Sequence, residues 1–339
     1  MAAYECLAHP NGKINWKIIK DMAMKKLQIG NTDLHVAPIN LGGNVFGWTL
    51  DEKESFKILD AFVERGYNFL DTADMYSYWV KNDEGGQSET IIGKWMKERG
   101  NRENIVLATK VGGETGIHPV DTSKKHILKS VDKSLERLKT DYIDLYYTHF
   151  DDEETPVVDT LEAYDELVKA GKVRYIAASN LSPQRLEESL KSSEEHELPR
   201  YQALQPHYNL LERENYETKY APLAEKYGLS VFPYWSLASG FLTGKYRSEK
   251  DLGKSVRGES VRKYLNPKGF KTLRALDEVS QKHNTSQATV SLAWLLAQPN
   301  LGAPVASATK KSHLETLFAA SDIQLTNEDL QLLNDASTY

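Results

Sequence analysis

Four polar residues stand at or just beyond the downstream ends of apolar, β-type runs. They are Asp71 and Tyr76 in Phe69-Leu-Asp-Thr-Ala-Asp-Met-Tyr76, Lys110 closing Ile105-Val-Leu-Ala-Thr-Lys110, and His149 closing Ile143-Asp-Leu-Tyr-Tyr-Thr-His149. A phenol has a reference pKa of about 10 and is a poor acid at neutral pH unless a neighbouring cation stabilises its anion. Lys110 is the candidate cation, and Asp71 the candidate anion that would let a buried lysine stay charged. His149 could hydrogen-bond a substrate oxygen and orient it. Singly, a lysine at a strand end is usually a surface ion-pair partner, and a histidine in an apolar run a satisfied core residue. Placed together, an acid, a tuning cation and an orienting group suit proton delivery to a carbonyl oxygen.

Such chemistry needs these run ends to converge, and in a parallel barrel the strand ends do meet on one face. From Leu27 onward, β-type runs alternate with amphipathic helical stretches, the pattern of βα units. Candidate strands are 39–42, 67–71, 105–110, 143–149, 173–179, 201–205, 230–234 and 303–307. The helix expected over 52–65 sets Phe56, Leu59, Phe62 and Val63 on one face and stops before Gly66, and 161–170 stops at Gly171. Ser182-Pro183 supplies an N-cap and a first-turn proline ahead of 185–190, and 287–297 runs into Pro299. Gly30-Asn31-Thr32-Asp33, between the apolar residues of 25–36, predicts a β-hairpin able to plug the lower mouth. Segments 77–87 and 246–270 are too long for simple connections and read as lids or binding loops. The expectation is an α/β fold, a (β/α)8 TIM barrel with an N-terminal β-hairpin and long loops on its C-terminal face. It forms one domain over 24–339, with 1–23 as an N-terminal extension.

A length of 339 residues suits one such barrel, and 40% hydrophobic with 27% charged residues describe a globular chain. The least polar stretch, 231–242, is too short and interrupted to span a bilayer, so no membrane insertion is expected. A formal charge of -6 gives no general attraction for nucleic acid, although a local basic patch could hold a phosphate. Cys6 is the sole cysteine, which excludes an internal disulfide and fits a cytoplasmic location. Residues 1–23 lack the apolar core of a signal peptide. No metal site is expected.

Beyond this reading, the chain resembles the aldo-keto reductases over Lys26 to about Ala336. It is most similar to the bacterial branch that also resembles potassium-channel β-subunits and aryl-alcohol dehydrogenases. The resemblance rests on Leu41-Gly42-Gly43, Asp71-Thr-Ala-Asp-Met-Tyr76, Gly86-Gln-Ser-Glu89 with Ile92-Gly93, Ser134-Leu-Glu-Arg-Leu138 with Asp141-Tyr-Ile-Asp-Leu145, Ala178-Ser-Asn180, Gln205 and Gly240-Phe-Leu-Thr-Gly-Lys245. It implies a catalytic tetrad of Asp71, Tyr76, Lys110 and His149, with Tyr76 protonating a carbonyl oxygen while nicotinamide delivers hydride to carbon.

No Gly-x-Gly-x-x-Gly follows the first strand, so a dinucleotide must be held otherwise than in a doubly wound fold. Ser179, Asn180 and Gln205 are placed to hold the nicotinamide carboxamide, although Ser179-Asn180 alone could be only a helix-entry turn. By resemblance, Tyr234 would stack on the ring, and Gly43 and Asn44 after the first strand join the cofactor site. Trp235, Ser236, Leu237, Ser239, Gly240 and Lys245 would follow the pyrophosphate. Ser307, Thr309, Lys310 and His313 open a helix whose donors and cation suit a 2'-phosphate, favouring NADP(H) over NAD(H). The chain departs from the family's usual Tyr-Ser-Pro-Leu-Gly with Tyr234-Trp-Ser-Leu-Ala238, and carries Thr309, His313 and Leu317 where many relatives have Arg, Gln and Asn. Asn44, Phe46 and Trp48 after the first strand, with Tyr78 and Trp79 beyond the second, could wall a substrate pocket for an apolar or aryl carbonyl compound. Two other classes stand beside this reading: a nucleotide-binding regulatory subunit, and a Schiff-base aldolase using Lys110. A homo-oligomer is left open.

Overall fold

The structure is a computed structural model and describes residues 24–80, 84–115 and 119–339, so the expected extension over 1–23 lies outside the described residues. A short antiparallel pair, β1 (Leu27–Gln28) and β2 (His35–Val36), comes first. The main sheet follows: β3 (Asn40–Gly42), β4 (Phe69–Asp71), β5 (Val106–Val111), β6 (Ile143–Thr148), β7 (Val173–Ser179), β8 (Tyr201–Gln205), β9 (Ser230–Val231) and β10 (Val305–Ala306). Its order is β10-β3-β4-β5-β6-β7-β8-β9 with every pair parallel. A parallel bridge between Val231 and Leu301, with hydrogen bonds from Gly302 N to Val231 O (2.9 Å) and Val305 N to Pro233 O (2.9 Å), joins the two ends. The result is a (β/α)8 barrel.

Each expected strand is found, but β9 and β10 are only two residues long. Pro233 and Pro304 interrupt them, because proline has no N–H to give to a ladder. Both prolines still act as acceptors, Pro233 O from Val305 N and Pro304 O from Asn40 N.

The helices follow from local chemistry. Asp51 caps Glu52–Glu64 by accepting from Glu54 N at 2.8 Å, and Gly66 beyond its end holds a φ of 93°. Its buried face is Ser55, Ile58, Leu59 and Phe62, rotated from the expected stripe, so that Phe56 and Val63 only flank the core. Ser182 caps Pro183–Glu195 as expected, and Val157–Lys169 starts earlier than expected, just after Pro156.

Strand side chains alternate between two layers because the strand period is two. Leu41, Leu70, Leu107, Tyr146, Ile176 and Leu204 face the helices. Phe69, Val106, Ala108, Leu145, Tyr147, Ala177, Ala203, Phe232 and Ala303 fill the barrel. The hairpin adds Ile29, Leu34 and Val36 to this inner cluster from below. Its turn is tied on by Gly30 N to Ser230 Oγ at 2.8 Å and Asn31 N to Gln202 Oε1 at 3.0 Å. It therefore plugs the N-terminal mouth and leaves the opposite mouth for chemistry.

The floor also carries an ion ladder. Buried Asp144 accepts from Arg102 (2.8 Å), Arg174 (2.8 Å) and Leu107 N (3.0 Å), and Arg174 reaches on to Asp33 of the hairpin at 2.7 Å. Asp144 is buried but both arginines are part-exposed, so removing the carboxylate costs mainly the acceptor of Leu107 N and the two ion pairs, about 1–3 kcal/mol. Asp144→Ala is therefore expected to lower the melting temperature by several degrees without changing catalytic parameters, since it lies at the end away from the open mouth. Thermal denaturation and steady-state kinetics of the variant check this; an unchanged melting temperature would refute the ladder's importance.

Candidate active site

The open mouth gathers residues from loops and strand ends far apart in sequence. Lys110 points inward from β5, wholly buried, with its Nζ 2.6 Å from Asp71 Oδ2. Its other protons go to Thr72 O (2.8 Å) and Tyr76 OH (3.0 Å), which accounts for all three donors of the ammonium. Tyr76 OH lies 3.5 Å from Asp71 Oδ2, a marginal hydrogen bond that leaves the phenolic proton available. The His149 ring sits edge-on to Tyr76 with centroids 6.1 Å apart. Asp71, Tyr76, Lys110 and His149 are thus one cluster.

Burial opposes the charge on Lys110, but Asp71 and Tyr76 outweigh it and hold the ammonium above its ordinary pKa. Burial raises the Tyr76 phenol, Lys110 draws it down, and Asp71 pushes it up again; the net direction is upward. Tyr76 is therefore a protonated phenol at neutral pH, with a cation waiting for the anion it would become. The sequence-based expectation of net lowering by Lys110 does not hold here, because Asp71 shares that charge and the site is dry. Burial, then Lys110, hold the His149 imidazole well below its usual value, so it is neutral. Its Nδ1 is buried without a hydrogen-bond partner.

A chain of hydrogen bonds runs from this cluster to the rim. Gln205 Nε2 donates to Asp71 Oδ1 at 2.8 Å, and Ser179 Oγ donates to Gln205 O at 2.9 Å. Asn180 Nδ2 donates to Ser179 Oγ (3.0 Å) and to His149 O (2.8 Å), while Tyr234 OH donates to Asn180 Oδ1 at 2.9 Å. The three residues expected around a carboxamide are therefore wired to Asp71, His149 and Tyr234.

The chain's own groups fit a dinucleotide. Trp235, Ala238, Ser239 and Gly240 have φ values of 53°, 48°, 57° and 97°, a cluster of left-handed residues in one turn of the kind that forms anion-binding concavities. A Cβ at Gly240 would lie 3.5 Å from Lys245 Nζ, so a cation sits against this turn. Across the mouth, Ser307 Oγ donates to Asn44 Oδ1 at 2.7 Å. Gly43 lies so close to Ser88 Oγ that a Cβ would come within 2.8 Å. Exposed Lys310, Thr309 and His313 cluster where the helix Lys311–Asp322 begins, with His313 Nδ1 3.3 Å from Thr309 N.

Two expected contacts are corrected. Phe46 is fully buried in the layer between strands and helices, where its carbonyl accepts from Ser77 Oγ, so its ring has no surface for substrate. Ser236 is turned inward, its hydroxyl bound to Pro233 O at 2.9 Å, and has no side-chain surface on the pyrophosphate path. Trp48, Tyr78 and Trp79 do cluster: Trp79 meets Trp48 at 5.6 Å, Tyr78 at 5.4 Å and Tyr76 at 6.0 Å between ring centroids.

Three residues were missed from the sequence. Thr72 contributes through its backbone carbonyl, for which side-chain patterning carries no signal. His207 stacks on Tyr234 with ring centroids 5.4 Å apart and planes 15° apart, signalled only by its place just after the β8 strand end. Arg257 lies over the Trp48 ring at 5.2 Å, with Nη2 buried and without a hydrogen-bond partner. It comes from 246–270, already suspected of being a lid.

A plugged parallel barrel with a buried Lys–Asp pair touching a tyrosine at its open mouth has the layout of a nicotinamide-dependent barrel oxidoreductase. The sequence model of the Aldo/keto reductase family matches residues 38–338. The chain is 35% identical over 325 residues to the uncharacterized oxidoreductase YrpG of Bacillus subtilis (strain 168), covering 92% of this chain and 95% of that protein. It is 32% identical over 322 residues to the aldo-keto reductase YhdN of the same organism, covering 92% and 93%. A probable voltage-gated potassium channel subunit beta of Arabidopsis thaliana is 29% identical over 308 residues, covering 88% and 92%. The chain belongs to the aldo/keto reductase family and is an NAD(P)H-dependent oxidoreductase. Among the described residues, no helix is long and apolar enough to cross a membrane, and no group of acidic, histidine or cysteine side chains is set to hold a metal.

The buried pair makes a stability prediction. Asp71→Asn leaves the Lys110 charge in a dry site with no anion, at a cost of about 3–5 kcal/mol. Urea denaturation should show that loss; a change below about 1 kcal/mol would mean that Lys110 is relieved by another group.

Proposed function

We propose that this protein reduces aldehydes and ketones to alcohols, reversibly, with NADPH, and that Tyr76 is the general acid. The observation that carries this reading is the 3.0 Å contact from Lys110 Nζ to the phenol oxygen, with Asp71 holding the lysine charged at 2.6 Å. Bound reduced nicotinamide supplies a hydride to the carbonyl carbon. Tyr76 gives its proton to the carbonyl oxygen as that oxygen gains charge, and Lys110 stabilises the phenolate left behind. Neutral His149 can orient the same oxygen by hydrogen bonding but adds no charge. In the oxidative direction the phenolate takes the proton back.

Ser179, Asn180, Gln205 and Tyr234 would hold and stack the nicotinamide. Lys245 and Arg257 would balance the diphosphate, and Lys310 with the following helix start would receive a 2'-phosphate. The tryptophan and tyrosine wall around Tyr76 favours aryl or otherwise apolar carbonyl compounds. The charged state of Lys110 speaks against a Schiff-base aldolase, which needs a neutral amine.

Oxidation of NADPH at 340 nm with 4-nitrobenzaldehyde tests the assignment. Tyr76→Phe is expected to lose at least about a thousand-fold in kcat while the dissociation constant for NADPH stays within about two-fold. Turnover comparable with wild type would remove Tyr76 from its role, and tight NADPH binding without turnover on a wide carbonyl panel would favour a regulatory subunit. Separately, Lys310→Glu should weaken NADPH about ten-fold or more and NADH hardly at all, because only NADPH carries the third phosphate. Equal losses in fluorescence titrations with the two cofactors would move the 2'-phosphate site elsewhere.

A further inference from the structure

Asp74 lies between Asp71 and Tyr76 in sequence and has no part in the chemistry above. Its amide donates to Lys110 O at 3.2 Å, which fixes it to the strand end that bears the lysine. Its Oδ1 is buried and has no hydrogen-bond partner. The groups around it come from five elements. Glu89 starts the helix Gln87–Arg99, Arg137 ends Lys124–Leu138, Lys110 stands on β5, Tyr146 on β6 and Tyr164 on Val157–Lys169. The cations in this set are already committed. Arg137 binds Glu89 Oε2 through Nε at 2.7 Å and Nη2 at 2.6 Å, and Lys110 binds Asp71 at 2.6 Å. Glu89 also accepts from Thr109 Oγ1 at 2.5 Å. Asp71 with Lys110 and Glu89 with Arg137 thus make two neutral pairs, leaving Asp74 as a fifth group with no cation of its own. The Tyr146 hydroxyl, on the helix-facing side of β6, is likewise buried and unpartnered.

We infer that Asp74 is a positioning residue kept as a neutral acid behind the Tyr76–Lys110 pair, and that its ionisation switches proton delivery down as pH rises. Burial, then the charge of Glu89, push its carboxyl up to about 8, against the opposing pull of Arg137, a hydrogen bond from the Met75 backbone and Lys110. The sign follows from the charges. Below that pH the carboxyl is neutral, and the positive charge of Lys110 acts on Tyr76 undiminished by it. Above it, a new anion offsets part of that charge and raises the energy of the phenolate that Tyr76 must become. A charge that Lys110 feels, in a site of intermediate dielectric, changes through that lysine the rate of proton delivery by roughly ten-fold.

This inference rests on the reductase reading, and two readouts separate the failure of one from the failure of the other. The first is kcat/KM for NADPH-dependent reduction of 4-nitrobenzaldehyde from about pH 6 to about pH 10. Wild type should fall roughly five- to ten-fold with a midpoint near pH 8, and Asp74→Asn should match it at low pH but keep at least half its activity one unit above that midpoint. An identical alkaline fall in Asp74→Asn would overturn the inference. The second readout needs no turnover: the infrared C=O stretch of a protonated carboxyl in the wild-type protein, titrated over the same range. A band that disappears near pH 8 supports a neutral Asp74 even if Asp74→Asn fails to fold, and absence of any such band at neutral pH overturns it. A titrating band in a protein that turns over no carbonyl compound would sink the reductase reading while leaving the state of Asp74 established.

Discussion

A lysine and an aspartate buried together at 2.6 Å are the constraint around which the upper half of the barrel is arranged. Two opposite charges removed from water repay their desolvation only if every remaining donor and acceptor is satisfied. The lysine meets that demand with a backbone carbonyl and a phenol, the aspartate with the amide of Gln205. Each partner is thereby pinned: the loop carrying Thr72 and Tyr76 to β5, and β8 to β4 across the barrel. Charge burial and the fixed placement of Tyr76 are the same set of bonds.

From Gln205 the pinning spreads through Ser179 and Asn180 to Tyr234. Inside a dry barrel such a network is rigid when complete and costly when broken. It gives the rim of the mouth a fixed relation to its centre, although Asp71 ends β4 and Tyr234 lies beyond the end of β9. The left-handed turn at Trp235 to Gly240 is the strained piece beside this rigid one. Asn209 holds it by donating to Trp235 O at 3.0 Å.

Much of this was legible in the sequence because strands announce themselves by apolar runs, and a polar residue ending such a run is conspicuous. Asp71, Lys110, His149, Ser179 and Gln205 all stand out in this way. The hairpin at Gly30-Asn31-Thr32-Asp33 was legible from turn chemistry alone. What escaped notice depends on side-chain direction within loops. Phe46 and Ser236 sit among site residues in sequence and yet turn into the core, while Arg257 comes from a segment without periodicity and turns into the mouth. The bond from Gln205 to Asp71 joins residues 134 positions apart, a distance over which no local pattern speaks. Prolines shortened β9 and β10 without abolishing them, since carbonyls survive where N–H groups are lost.

The hairpin beneath the barrel also governs traffic. With Ile29 and Val36 wholly buried and Leu34 nearly so, the floor offers no passage, and the interior above it is filled by side chains. Every molecule that reaches Tyr76 must arrive and depart by one doorway. Two molecules bound there together would have to share that entrance, so the sealed floor makes the loops around the mouth the sole control on access.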